Sequence, residues 1–307
     1  MARVTDARKP RQATSGVETG TASSLLRGLV TPAQRSPTPR HRPGIPVPGE
    51  IIAGKFAVEE ILGEGGMGVV LAARHAQLGQ RVAIKFLIGQ AAADANAVAR
   101  FLREARAAAV LSSEHIAKVH DVGTLETGEP YLVMECLAGA DLGEIVHRLG
   151  SLPVADAVSA VLQACEGLAE AHARGIIHRD LKPSNLFVTK RMDGTPLVKV
   201  LDFGISKMTE SLDGEKQSLT ASGLVMGSPF YMSPEQIKSA RDVDVRSDVW
   251  ALGVILYELL TGVAPFAGET MGETLAKIFS ETPAPLRTLR PEVPDALASG
   301  TSGRRVR

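Results

Sequence analysis

The chain runs to 307 residues, long enough for one two-lobed domain or two small ones, and 44% hydrophobic with 22% charged residues describes a globular protein. A formal net charge of +0, and 4% aromatic residues that do not alternate with basic ones, give no ground for nucleic acid as a partner. Cys136 and Cys165 have neither CxxC spacing nor a matching histidine pattern, which argues against a zinc site or a disulfide framework and fits a reducing compartment.

Residues 1–48 are rich in Arg, Pro, Ser and Thr, and their basic side chains outnumber Asp6 and Glu18. A disordered basic tail is expected there. Within it, Ser36-Pro37-Thr38-Pro39 offers hydroxyls for a docking or autophosphorylation segment. No apolar stretch of signal-peptide kind opens the chain.

From Glu50 the pattern changes. Residues 56–62, 69–73 and 81–87 read as three strands joined by turns. Residues 91–111 are Ala-rich, with Phe101, Leu102 and Val110 at helical spacing. Two further strands are expected at 116–122 and 131–135, making a small β-rich lobe over about 49–135 with one main helix. Beyond Gly139 helices dominate, at 142–148, 154–173, 249–260 and 274–280, giving a larger lobe over about 138–298. Cys165, in an Ala/Leu-rich helical stretch, is expected in the core. The longest apolar run, 249–260, is interrupted by Glu258 and is too short to span a bilayer, so a cytoplasmic protein without a membrane segment is the expectation.

Three motifs carry chemistry. Gly63-Glu64-Gly65-Gly66-Met67-Gly68-Val69-Val70 puts glycines where a backbone can approach phosphate oxygens closely and turn sharply. Dinucleotide-binding folds share this spacing, but there a strand leads into a helix, whereas here strand leads to strand. Next, Lys85 ends Val82-Ala83-Ile84-Lys85 on the third strand, and Glu104 lies on the helix that follows. Finally, His178-Arg179-Asp180-Leu181-Lys182-Pro183-Ser184-Asn185 is followed, 17 residues after Asn185, by Asp202-Phe203-Gly204. Strand-like residues 186–189 and 197–201 flank an Asp193-Gly194 turn between them. A tight hairpin returns the chain to its start, so Asp202 is expected beside Asp180 and Asn185. Such a cluster suits a divalent metal plus phosphate, because hard oxygen ligands hold Mg²⁺ and the spare carboxylate can orient a hydroxyl.

In this order, the motifs strongly resemble those of the eukaryotic-like Ser/Thr protein kinases of bacteria. The resemblance implies an α+β, two-lobed kinase fold that binds ATP with Mg²⁺, or Mn²⁺ in its place, and acts on Ser or Thr of protein substrates. It makes Asp180 the residue that orients the acceptor hydroxyl and takes its proton, and Lys182 the neutraliser of charge on the transferring group. Asn185 and Asp202 become metal ligands, and Lys85, held by Glu104, contacts the α- and β-phosphates. The loop Gly63, Glu64, Gly65, Gly66, Met67 and Gly68 covers the phosphates. Val70, Ala83 and Phe187 wall the adenine pocket, Met134 lies at its back, and Glu135 to Leu137 offer backbone groups to adenine. His178 becomes a structural residue near Phe203, not a general base, and Asp248 anchors the catalytic loop.

Residues 202–235 match the activation segment of that family, closed by Ser233-Pro234-Glu235. Arg179 before Asp180 implies regulation by loop phosphorylation, with Thr220 and then Ser222 as trans-autophosphorylation sites in a transient homodimer. Ser228 keeps a hydroxyl where relatives have threonine.

The resemblance runs to about Ala298, and 299–307 read as a polar tail. The last helices of the large lobe are therefore expected to be missing, with apolar surface uncovered and Glu235 left as a buried charge without its arginine. Two competing readings follow. One is a nucleotide-binding regulatory or scaffolding module impaired by an incomplete lobe; the other, disfavoured by the well-formed activation segment, is a small-molecule kinase of related fold.

Overall fold

The computed structural model describes residues 45–64, 68–203, 229–239 and 243–301. Residues 1–44 of the basic tail, Gly65, Gly66, Met67, Gly204, Thr220, Ser222, Ser228 and the last six residues lie outside them.

The small lobe is a six-stranded sheet of order β1-β2-β3-β4-β6-β5. Its strands are β1 (Ile51–Ile52), β2 (Phe56–Glu64), β3 (Gly68–His75), β4 (Arg81–Leu87), β5 (Val119–Thr124) and β6 (Pro130–Glu135). The glycine motif joins two strands as expected, pairing Gly63 with Val70 and Glu64 with Val69. Gly68 is required by close approach, since a Cβ there would sit 2.2 Å from the Phe86 carbonyl oxygen. Phe56, Val69, Leu71, Val82, Ile84 and Val133 fill the lobe's core.

The single helix expected over 91–111 is two, α1 (Gln90–Ala93) and α2 (Ala95–Ala109). Asp94 divides them: its backbone is extended and its carboxylate accepts from the Asn96 N–H, an N-cap that the alanine run conceals. The strand expected from 116 starts at Val119. Residues 112–118 form instead a strap held on the large lobe. The Ser112 and Ser113 amides donate to the Glu170 carboxylate, and Ala117 N–H donates to the Val200 carbonyl at 3.0 Å.

In the large lobe, β7 (Ala140–Asp141), β8 (Leu186–Lys190) and β9 (Pro196–Val200) make a three-stranded sheet. The hairpin between β8 and β9 turns at Asp193-Gly194 as expected, with Gly194 at φ +79° and the Asp193 carboxylate accepting from Thr195 N–H. Around it stand α3 (Leu142–Leu149), α4 (Val154–Ala173), α5 (Pro234–Lys238), α6 (Val245–Thr261), α7 (Met271–Ser280), α8 (Leu286–Leu289) and α9 (Asp295–Thr301). The helix expected from 249 begins four residues earlier because Asp244 caps it through the Arg246 N–H. α5 begins with a Ser233/Gln236 capping box.

Three further expectations are corrected. Cys165 is exposed: the buried face of α4 runs through Ala157, Ala160, Val161, Ala164 and Leu168, and position 165 falls on the opposite side. The polar tail begins later than 299, because α9 continues to Thr301 with Leu297 and Ala298 packed on the core. Glu235 is half-buried rather than orphaned, accepting from Ser247 Oγ at 2.8 Å. Apolar surface is uncovered on α6, where Val249 is 62% exposed. Among the described residues no helix is long and apolar enough to cross a membrane.

Candidate active site

The cleft between the lobes gathers the motif residues. Val70 pairs with Lys85 across β3–β4, and Ala83 pairs with Met134 across β4–β6. Directly opposed residues share a face, as do residues two apart on one strand. Val70, Ala83, Lys85 and Met134 therefore line one side of the sheet. That face closes a small cavity bounded by Lys85, Glu104, Met134, Val200, Asp202 and Phe203.

The 178–185 segment is pinned from below by Asp248, which is 1% exposed near the start of α6. Its carboxylate accepts from the His178 N–H and the Arg179 N–H, both at 2.9 Å, and lies 2.7 Å from His172 Nε2. The anchoring expected of Asp248 is thus realised, and His172 is a partner with no sequence signal. Arg179 takes a left-handed backbone, φ +66°, to allow this turn.

His178 is completely buried, and burial holds its imidazole below the usual histidine range despite the nearby Asp248 charge. Nε2 donates to the Leu201 carbonyl at 2.8 Å, and Nδ1 accepts from the Asp180 N–H at 3.3 Å. Both nitrogens are occupied, and the ring packs against Phe203 at a tilt of 44° with centroids 4.9 Å apart. It is a structural residue, as expected.

Asn185 is fixed at both ends of its backbone. Its N–H donates to the Lys182 carbonyl at 2.9 Å, and its carbonyl accepts from the Leu201 N–H at 2.8 Å. The side-chain Nδ2 donates to the Asp180 carbonyl at 2.7 Å. The Lys182 ammonium lies 3.6 Å from the Asp180 carboxylate. The hairpin thus brings Asp202 back to Asp180 and Asn185.

Lys85 differs from expectation in its contact. Its ammonium pairs with Asp202 at 2.7 Å, while Glu104 borders the same cavity and acts on Lys85 through its charge. Burial opposes the lysine's charge, but Asp202, then Glu104 and Asp180, outweigh it and raise its pKa. Partial burial likewise opposes ionisation of Asp202, whose side chain is 45% exposed, and Lys85, with His178 and Lys182 behind it, holds that carboxyl below its ordinary value. Asp202 also adopts a left-handed backbone, φ +49°.

Glu135 shows a second role that its motif did not reveal. Its carboxylate points behind the cleft, accepting from the Lys118 N–H at 2.7 Å and from Lys199 Nζ at 2.8 Å. Lys199 sits in β9, whose five residues are all buried. A lysine inside an otherwise apolar strand was the available signal, because a buried ammonium requires a partner.

A divalent cation fits this donor set. Among the described residues no group of three or more His, Cys, Asp or Glu side chains is arranged to hold a metal. The Asp202 carboxylate and Asn185 amide are hard oxygen donors of the kind that bind Mg²⁺ with one or two protein oxygens, the remainder coming from phosphate and water.

Residues 56–298 match the family described as protein kinase domain. Similar curated proteins include serine/threonine-protein kinase pkn3 of Myxococcus xanthus, 43% identical over 80% of this chain and 44% of that protein. Serine/threonine-protein kinase PknB of Mycobacterium leprae is 40% identical over 76% of this chain and 37% of that protein. The chain therefore spans less than half the length of these relatives. Among solved structures, the Mycobacterium tuberculosis PknI kinase domain is similar with a TM-score of 0.61 and 28% identity, over 84% of this chain and 92% of that one.

Proposed function

The chain belongs to the protein kinase domain family, and from that premise we propose that it transfers the γ-phosphoryl group of ATP to Ser or Thr hydroxyls of protein substrates. The observation that carries this reading is the meeting, across one cleft, of the pinned Asp180–Asn185 loop with the Lys85–Asp202 pair. In the reaction, the acceptor oxygen bonds to the γ-phosphorus as the bond to the bridging oxygen breaks and ADP departs. Asp180 orients the acceptor hydroxyl and takes its proton, and Lys182 offsets negative charge on the moving group. Lys85 turns from Asp202 to the α- and β-phosphates, with Glu104 holding its far side.

Asn185 and Asp202 would hold the Mg²⁺ that neutralises phosphate charge. With Nδ2 committed to the Asp180 carbonyl, Asn185 keeps its oxygen for that role. Gly63, Glu64 and Gly68, with Gly65, Gly66 and Met67, cover the phosphates, while Val70, Ala83, Met134 and Phe187 enclose adenine beside the Glu135–Leu137 backbone. Little covalent help is asked of the protein, so positioning and electrostatics supply most of the rate.

Arg179 supports regulation by phosphate. Its Nη1 is buried without a hydrogen-bond partner among the described residues. A phosphate on Thr220, or on Ser222, would give the guanidinium a charge-assisted partner, placed by a second copy of the chain acting in trans.

The test is label transfer from ATP with Mg²⁺ to this chain and to a Ser/Thr-containing protein, comparing wild type with Asp180→Asn. A loss of about 10²–10⁴-fold in rate is expected, with label in the wild type mapping to Thr220 or Ser222. Soluble wild type that binds ATP and transfers no label would establish a nucleotide-binding scaffold instead.

A further inference from the structure

The connection between the lobes is clasped at both ends by one hairpin. At its start, Glu135 is held by Lys199 of β9, whose side chain is 6% exposed. At its end, the Ala138 carbonyl accepts from Thr189 Oγ1 of β8 at 2.8 Å, and Thr189 is also buried. Phe187 pairs with Lys199 and Thr189 with Leu197, so Phe187, Thr189 and Lys199 share one face of the hairpin. Gly139 continues the contact: a Cβ there would lie 2.0 Å from the Val188 carbonyl oxygen. The connection thus lies directly on the hairpin backbone.

Lys199 also reaches the strap between α2 and β5. Its Nζ lies 3.4 Å from the Ile116 carbonyl, and Glu135 exchanges two further bonds with Lys118, through its carboxylate and through its own N–H at 2.9 Å. The strap, a small-lobe segment lying on the large lobe, and the 135–138 connection, which joins the two lobes, therefore converge on this one ammonium. A buried ion pair seldom contributes more stability than apolar side chains of the same volume. What it does supply is direction, because two acceptors at fixed positions, the Glu135 carboxylate and the Ile116 carbonyl, leave the backbone little freedom.

We propose that Lys199 and Thr189 are positioning residues for nucleotide binding, holding residues 135–138 from behind so that their backbone faces adenine in one fixed geometry. The inference rests on the kinase reading of the cleft. Neither side chain touches the nucleotide; both act through the connection that does. The phosphate-handling residues are held by other contacts, Asp180 through the Asp248 bonds to residues 178 and 179 and Asn185 through its bonds to Asp180, Lys182 and Leu201, so they stay in place when the clasp is released.

The experiment is calorimetric titration of the full chain with ADP, alongside KM for ATP and kcat, for wild type, Lys199→Met, Glu135→Gln and Thr189→Val. Lys199→Met should raise Kd and the KM for ATP about ten-fold, the scale of one lost charge-assisted hydrogen bond. Its kcat and its KM for the acceptor protein should change far less. Thr189→Val, nearly the same shape without the hydroxyl, should show a smaller shift of the same kind, and Lys199→Arg should recover part of the loss. Should Lys199→Met fail to fold, Glu135→Gln reads the same contact. Variants that melt earlier yet bind ADP within two-fold of wild type would make the clasp merely structural and overturn the inference. A wild type that binds no nucleotide overturns the cleft reading and this inference together, whereas binding unchanged by any of the variants overturns this inference alone.

Discussion

Asp248 and Asp202 approach the catalytic loop from opposite sides, one 1% exposed and the other with a side chain 45% exposed. Asp248 takes two backbone N–H donors from the loop and lies against His172; Asp202 is tied across the cleft to Lys85. Carboxylates bound by several donors in a buried setting rigidify their surroundings, because every donor would be stranded by movement. A single half-exposed ion pair is exchangeable with other charged partners at little cost. On the proposed function, the contrast separates what must stay, the geometry of Asp180 and Asn185, from what must let go when phosphate and metal enter.

Replacing Asp248 should give the largest effect. Asp248→Ala strands the His178 and Arg179 amides in the interior, at about 1–3 kcal/mol for each. That approaches the whole stability of a marginal domain. Loss of soluble, cooperatively unfolding protein is the expected outcome, read by urea denaturation. An Asp248→Ala protein as stable as wild type would remove the distinction between the two aspartates.

Lys85→Met tests the other side. The Lys85–Asp202 pair is worth at most about 1 kcal/mol at this exposure, so the variant should melt close to wild type. Phosphoryl transfer should nevertheless fall by about 10²–10³-fold, the usual result of deleting a preorganised electrostatic group. A variant that unfolds like Asp248→Ala would show that the pair is part of the scaffold.

The same contrast explains what could be read from the residues alone. The convergence of Asp180, Asn185 and Asp202 was legible because Asp193-Gly194 between two apolar runs permits little except a tight hairpin. The anchoring of the loop by Asp248 was legible through the kinase resemblance. Lys85's contact was not: three carboxylates, of Asp202, Glu104 and Asp180, act on it, and only coordinates decide which one touches. The helix break at Asp94 hid in an alanine run whose propensity favours continuity. Lys199 was visible as an anomaly in Leu197-Val198-Lys199-Val200, but its partner lies 64 residues earlier, on a strand in the other lobe. Glu235 was misjudged because a missing arginine says nothing of Ser247, which lies one helix away.

A third aspartate, Asp156, gives the smallest effect and sharpens the comparison most. Like Asp248 it sits in the first turn of a long helix and is buried, at 4% exposed. Burial pushes its carboxyl above the ordinary aspartate value. The helix dipole favours a negative charge at this end by about 0.3–1 kcal/mol, and desolvation outweighs it. The folded state therefore holds this proton more tightly than the unfolded chain. Between the unfolded pKa and the raised folded one, the folded form binds more protons, so stability falls as pH rises through that window and the penalty persists above it. Asp156→Asn removes the penalty. Its denaturation midpoint should exceed that of wild type at neutral pH, and the gain should vanish as pH drops to the ordinary aspartate value. A variant less stable than wild type at neutral pH, or one with the same gain at both, would mean that this carboxylate is held by its surroundings much as Asp248 is.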